Sequence, residues 1–276
     1  MGYDNHELIQ TELADGVLVA TVSAPPINVM TGELFIELSK LSMEIEMDDA
    51  TRVLVLRSAD PDFFIAHFDV EAILGFPVKD PAERNSEENA FHAMCERFRT
   101  GSTVTIAEID GRVGGGGAEL SASFDMRFGG IETFALCQME VPLGILPGGT
   151  GTQRLPRLVG PGRAMEIVLG GIDLDGPTAE QWGWLNRALP SSDLGDHVDR
   201  LAGRIAGFPQ TAVQMAKQSV LNVGSLPLAE GLAEESYLFQ TTLRDPAAQS
   251  AMRTFMANGG QTRDGELSMQ RLIDSL

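Results

Sequence analysis

The chain has 276 residues and a formal net charge of −19. That acidity argues against nucleic acid and anionic membrane surfaces as general partners, since like charge repels. A hydrophobic fraction of 43% suits a folded chain rather than a disordered one, and the length allows one large core or a core with an appendage.

In chain order, Gly16 to Val22 is β-rich and follows a turn at Asp15-Gly16, and Pro25-Pro26 stops it. Thr31 is placed to cap a helix whose apolar stripe runs Leu34, Leu38, Leu41, Ile45. Arg52 to Arg57 and Thr103 to Ile109 are short apolar runs of buried-strand type, with a helix predicted between them over Glu88 to Phe98. Strands alternating with helices predict an α/β core. The stretch from Asp69 to Ser86, with Gly75, Pro77 and Asp80-Pro81, is the most loop-like part of that core. After Gly148 the pattern turns helical: 162–169, 178–184, 194–205, 211–223, 228–243 and 247–257, broken only by a strand at 186–189.

The densest chemical signal is Ile109-Asp110-Gly111-Arg112-Val113-Gly114-Gly115-Gly116-Gly117-Ala118-Glu119-Leu120, followed by Glu140 and then Pro147-Gly148-Gly149-Thr150-Gly151-Thr152-Gln153-Arg154. The first segment predicts a buried strand, a glycine turn and a helix start. Glycine lets backbone approach a ligand closely, and a helix start leaves N–H groups unpaired beside a partial positive charge. Free N–H groups next to carboxylates suit a reaction that builds negative charge on an oxygen and moves a proton. The second glycine segment is not a phosphate-binding P-loop, because it lacks the Gly-Lys-Ser/Thr ending.

Those residues resemble the crotonase family, also called the enoyl-CoA hydratase/isomerase family, over about Gly16 to Phe255 and most densely over 106–125 and 140–158. The resemblance implies a spiral of ββα units over residues 1–195 and a helical trimerisation region over 196–276. No internal sequence repeat marks the spiral. It also implies an acyl-CoA thioester substrate, no metal or redox cofactor, a place in fatty acid metabolism such as β-oxidation, and a homotrimer or a hexamer of two stacked trimers. Carried onto this chain, Glu119 and Glu140 are the acid/base pair, and the backbone N–H groups of Phe68 and Gly116 form the oxyanion hole. Asn28, Ala66, His67, Asp69, Gly115, Leu143, Gly148 and Phe239 are candidate substrate contacts, Phe239 from a neighbouring subunit. Asn28 is read equally well as structural, and Asp125 as a partner within the core.

The chain departs from the pattern where the family carries small residues: His67 and Phe68 replace a Gly and an Ala. Phe68 is expected to reshape the wall near the thioester, and His67 to be a turn residue pointing away. Phe64, Phe68, Leu74 and Phe76 are expected to line an apolar acyl pocket. The lysine often found near the end for nucleotide phosphates is missing, so a local patch from Arg52, Arg57, Arg154, Arg157 or Arg163 would have to serve coenzyme A. Having both glutamates favours hydration of a trans-2-enoyl-CoA over 3,2-enoyl-CoA isomerisation. A non-catalytic acyl-CoA-binding protein is the reading from a different class.

Two unpatterned cysteines, Cys95 and Cys137, fit a reducing compartment without a disulfide framework or zinc site. Residues 1–7 lack the features of a secretion signal, and His6 stands where a myristoylation motif wants Ser or Thr. No apolar run approaches the ~20 residues of a membrane span. A cytoplasmic location is expected.

Overall fold

The computed structural model describes Tyr3, residues 5–84 and residues 87–276. Strands β1 (Ile9–Ala14) and β2 (Val17–Val22) pair antiparallel across Asp15 and Gly16. Both turn residues have positive φ, +49° and +81°, as the tightest hairpin turns require. Strand β1 escaped the sequence reading because only Ile9 in it is buried. Helix α1 (Gly32–Glu46) begins as expected: the Thr31 hydroxyl accepts the Leu34 N–H at 3.3 Å, and Leu34, Leu38, Leu41 and Ile45 are buried.

Three times the chain then sends one strand to each of two sheets before turning into helix. The first pass is β3 (Val53–Ser58) and β4 (Phe63–Ile65), followed by α2 (Val70–Leu74) and α3 (Ala90–Thr100). The second is β5 (Val104–Ile109) and β6 (Arg112–Gly114), followed by α4 (Gly115–Ser121). The third is β7 (Met126–Gly130) and β8 (Ala135–Cys137), followed by a 3-10 turn (Val141–Leu143) and α5 (Gly151–Val159). Two short strands, β9 (Leu174–Asp175) and β10 (Arg187–Leu189), finish the sheets.

The larger sheet runs β1-β2-β3-β5-β7-β10 and the smaller β4-β6-β8-β9. Neighbours are parallel apart from β1/β2 and β8/β9. This is the ββα spiral that the resemblance implies. Val53 to Leu56 and Val104 to Ala107 are wholly buried, the continuous apolar type that parallel strands covered on both faces require. Between β5 and β7, Asp125 Oδ2 accepts the Thr105 N–H at 2.8 Å and its hydroxyl at 3.1 Å, the core pairing expected of it.

The short strands β4, β6, β7, β8 and β9 have too few residues to show a period. Strand β9 also corrects the expectation that only 186–189 interrupts the later helices. Helix α2 lies inside the stretch read as loop, of which Asn85 and Ser86 fall outside the described residues.

The chain divides into two compact units, one ending at Gly203 and the other Arg204–Leu276. The smaller is all helix: Gln210–Asn222, Leu228–Thr242, Pro246–Ala257, and two short pieces, Arg263–Leu267 and Met269–Ile273, that the sequence reading missed. Among the described residues no helix is long and apolar enough to cross a membrane.

Candidate active site

Strand β6 runs straight into α4, and the glycines allow this helix to lie against the segment that follows β4. A side chain at Gly117 would begin 2.4 Å from the Ile65 carbonyl oxygen, closer than any real contact, so only glycine fits. On the facing segment, the Met30 N–H donates to His67 O at 2.8 Å and the Asp69 N–H to Met30 O at 3.1 Å. This parallel bridge turns the intervening Phe68 N–H away from Met30. It comes beside Gly116: a Cβ there would lie 3.5 Å from the Phe68 nitrogen. Neither the Phe68 nor the Gly116 N–H has a hydrogen-bond acceptor among the described residues. For Gly116 this follows from its place in the first turn of a helix.

Glu119, on the same helix, is 4% exposed. Its Oε1 accepts the N–H of Gly149 at 2.8 Å and of Gly151 at 2.7 Å, where α5 begins. The Thr150 hydroxyl donates to the Glu119 carbonyl at 3.2 Å. Burial pushes its carboxyl up to about 7, reinforced by the charge of Glu140 and opposed by the peptide donors. Glu140, 8% exposed, precedes the 3-10 turn. Burial raises its carboxyl too, while its own backbone N–H and the His67 imidazole oppose that. With its NH2 turned toward the carboxylate, the buried Gln138 amide donates to Glu140 Oε1 and Oε2 at 3.1 and 2.8 Å.

Both carboxyls, Phe68 and Gly116 open on one cavity of about 470 Å³. Its opposite wall is apolar. The rings of Phe35 and Phe91 stack at 6.1 Å, and Phe68 meets each edge-on at 6.3 and 6.2 Å. Val70, Ile73 and Phe76 extend that wall, and Leu143, Ile145 and Leu146 stand on the side of the 3-10 turn. Among the described residues no three His, Cys, Asp or Glu side chains come together as a metal site requires.

The family model for enoyl-CoA hydratase/isomerase matches residues 12–261. The chain belongs to that family. It is 29% identical over 251 residues to the probable enoyl-CoA hydratase echA8 of Mycobacterium leprae, covering 89% of this chain and 95% of that protein. It is 31% identical over 225 residues to the mitochondrial methylglutaconyl-CoA hydratase of Rattus norvegicus, covering 78% and 69%. The crystal structure of enoyl-CoA hydratase from Bacillus anthracis superposes with a TM-score of 0.82 at 26% identity, covering 91% and 96%.

Of the residues that the hydratase/isomerase resemblance nominates, His67, Phe68, Gly115, Gly116, Glu119, Glu140, Leu143 and Gly148 line the cavity. His67 faces it rather than pointing away, with Nδ1 2.9 Å from the Phe68 carbonyl oxygen. The other four lie elsewhere. Asn28 is 1% exposed, and its amide is consumed by the fold: Oδ1 accepts the Ala24 N–H, and Nδ2 donates to Ser58 Oγ and the Phe63 and Phe64 carbonyls. Ala66 is buried behind Gly114. Asp69 caps α2 by accepting the Glu71 N–H at 2.8 Å. Phe239 is 58% exposed on the helix Leu228–Thr242 of the smaller unit.

The expected pocket wall is half right. Phe68 and Phe76 line it, but Phe64 is sealed in the core and Leu74 is 81% exposed, because Val70 and Ile73 are the cavity-facing residues of α2. Phe35, Phe91 and Gln138 were missed. Phe91 belongs to the stripe Phe91, Met94, Cys95, Phe98, whose helical spacing reads as core; nothing in the sequence brings Phe35 to the cavity, and Gln138, though two residues from Glu140, carries no local signal that its amide turns onto that carboxylate. Of the arginines considered for coenzyme A, Arg57 pairs with Glu108 and Asp199, and Arg154 with Glu96.

Proposed function

We propose that this chain adds water reversibly to a trans-2-enoyl-CoA thioester, without a metal or redox cofactor. The observation that carries the reading is two buried carboxyls, Glu119 and Glu140, on one cavity with the unpaired N–H groups of Phe68 and Gly116. In this reading the thioester oxygen sits between those two donors. Glu119 takes a proton from water as the water oxygen bonds to the β-carbon, and the electron pair moves onto the thioester oxygen. Glu140 delivers a proton to the α-carbon as the carbonyl re-forms. One proton is gained and one lost, so exchange between the two carboxyls resets the site. Burial raises both groups toward the protonated form, which suits a pair that must hold a proton near neutral pH. Removing one preorganised oxyanion donor costs about 2.7–4 kcal/mol in other enzymes.

The acyl group would lie along the Phe35, Phe68 and Phe91 wall. We further propose a homotrimer or hexamer in the cytoplasm. Leu228, Leu232, Tyr237 and Phe239, all exposed along one helix, support a packing role for the smaller unit, with Phe239 offered to a neighbour's coenzyme A. A monomer by light scattering overturns the assembly. The reaction is tested by following enone absorbance with crotonyl-CoA and decenoyl-CoA in H2¹⁸O. Loss of absorbance with one ¹⁸O in the product supports hydration. A shifted double bond without ¹⁸O identifies the isomerase, and no turnover with any enoyl-CoA sinks the hydratase reading.

A further inference from the structure

We propose that His92 is a positioning residue: it clamps the peptide between Gly148 and Gly149 so that the Gly149 N–H stays on the Glu119 carboxylate. The proposal rests on the reading of Glu119 as the group that activates water. His92 lies in the first turn of α3, which Asn89 caps by accepting the His92 N–H at 2.8 Å. Its Nε2 is 2.8 Å from Gly148 O. A carbonyl oxygen only accepts, so Nε2 carries the proton. The N–H of that same peptide unit belongs to Gly149 and donates to Glu119 Oε1 at 2.8 Å.

One planar group is thus held at both ends, its C=O by His92 and its N–H by Glu119. A trans peptide points these two bonds in opposite directions, so rotating the plane breaks both together. Glycine on either side makes such a rotation inexpensive, and the chain needs something outside the loop to prevent it. A donor on the carbonyl also polarises the peptide and strengthens its N–H as a donor. The turn has little room to settle elsewhere: a side chain at Gly149 would begin 2.5 Å from Glu119 Oε2 and 2.8 Å from the Phe91 ring. Phe91 precedes His92, so the turn of α3 that walls the cavity also aims the peptide at the carboxylate.

The test uses the full, ligand-free chain labelled with ¹³C at its glutamate carboxyls. The Glu119 signal is identified by its loss in Glu119→Gln. His92→Phe keeps a ring and removes the donor, and His92→Gln keeps an N–H donor. Glu140 and the Cys95 thiol are the titratable groups that act on Glu119, and these substitutions leave both in place. The expected result is a Glu119 midpoint that rises in His92→Phe, because a donor to the ionised form is lost, and falls back toward wild type in His92→Gln. Turnover of crotonyl-CoA should fall about tenfold in kcat with KM little changed, less than the roughly hundredfold for removing an acid–base group. If His92→Phe does not fold, His92→Ala makes the same comparison. An unchanged Glu119 midpoint in the donor-less variant overturns the proposal. Absence of turnover in the wild type would instead overturn hydration, and the titration would still decide whether His92 acts on Glu119.

Discussion

The floor of the cavity and its wall are built on different principles. The floor, from Gly114 to Glu119 with the turn from Pro147 to Gly151, is made of backbone. Its donors are peptide N–H groups; Gly114 and Gly117 are bare because the Ala66 and Ile65 carbonyls stand where a side chain would begin, and Gly149 and Gly151 because the Glu119 carboxylate does. The wall, from Phe35, Phe68, Phe91 and helix α2, is made of side chains in contact with one another. At those four glycines the floor tolerates almost no substitution, since one added carbon collides with a carbonyl or a carboxylate. A side-chain wall can be trimmed and repacked in steps. The first arrangement suits fixed chemistry, and the second suits a substrate range that differs among relatives. The matched proteins include a methylglutaconyl-CoA hydratase beside an enoyl-CoA hydratase.

The sharpest way to break this contrast is at Gly117. Gly117→Val places carbon against the Ile65 carbonyl and side chain, all within 2.9 Å of the first added atom. It should yield no folded protein by circular dichroism, and a folded, active variant would show that the floor is not backbone-limited. Gly149→Ala comes next. Its methyl would displace the Glu119 carboxylate, so kcat should fall roughly a hundredfold, the scale of losing general acid–base catalysis, while the fold survives.

A third prediction concerns stability. Burial raises the Glu119 carboxyl from the ordinary glutamate range to about 7, so the folded state holds a proton that the unfolded chain releases. Between those values the folded chain binds more protons than the unfolded one, and stability falls as pH rises. Glu119→Gln removes that loss. Its unfolding free energy from urea titration should match wild type near pH 4.5 and exceed it above pH 7, by up to about 3 kcal/mol. Equal unfolding free energies at both pH values would mean that Glu119 is not held in a low-dielectric setting.

The smallest effect belongs to the wall. Phe91→Ala should cost about 1–2 kcal/mol of stability, less than the usual loss at a fully buried Phe. It should also change the ratio of kcat/KM for decenoyl-CoA to crotonyl-CoA without abolishing turnover of either. A uniform loss for every chain length would move Phe91 from the wall to the floor.

The same contrast explains what the sequence could reveal. The floor was legible because four consecutive glycines ahead of Glu119 mark a close backbone approach, and because their spacing to Glu119 and Glu140 resembles that of the enoyl-CoA hydratase/isomerase family. Helix α1, strands β3 and β5 and the later helices were legible from period and capping, as Thr31 illustrates. The wall was not. Phe35, Phe91 and Ile73 come from three elements, and only the tertiary fold says that they meet. Leu74 was expected in the wall and is exposed, since a five-residue helix shows no readable face. Asn28 could be read from sequence as a ligand contact or as structural; its positive φ and four internal hydrogen bonds, visible only in the structure, make it structural. Gln138 stands two residues before Glu140, but only the fold turns its amide onto that carboxylate, and the Gly148 carbonyl beside His92 is 56 residues away in sequence.

In the proposed reaction two carboxyls on one cavity share the hydration of an enoyl thioester. The most direct measurement is kcat for crotonyl-CoA in wild type, Glu119→Gln and Glu140→Gln, with folding verified for each. Turnover in wild type and a loss of about a hundredfold or more in each variant are expected. Full activity in either variant would contradict the shared role and leave a single-base reaction in its place.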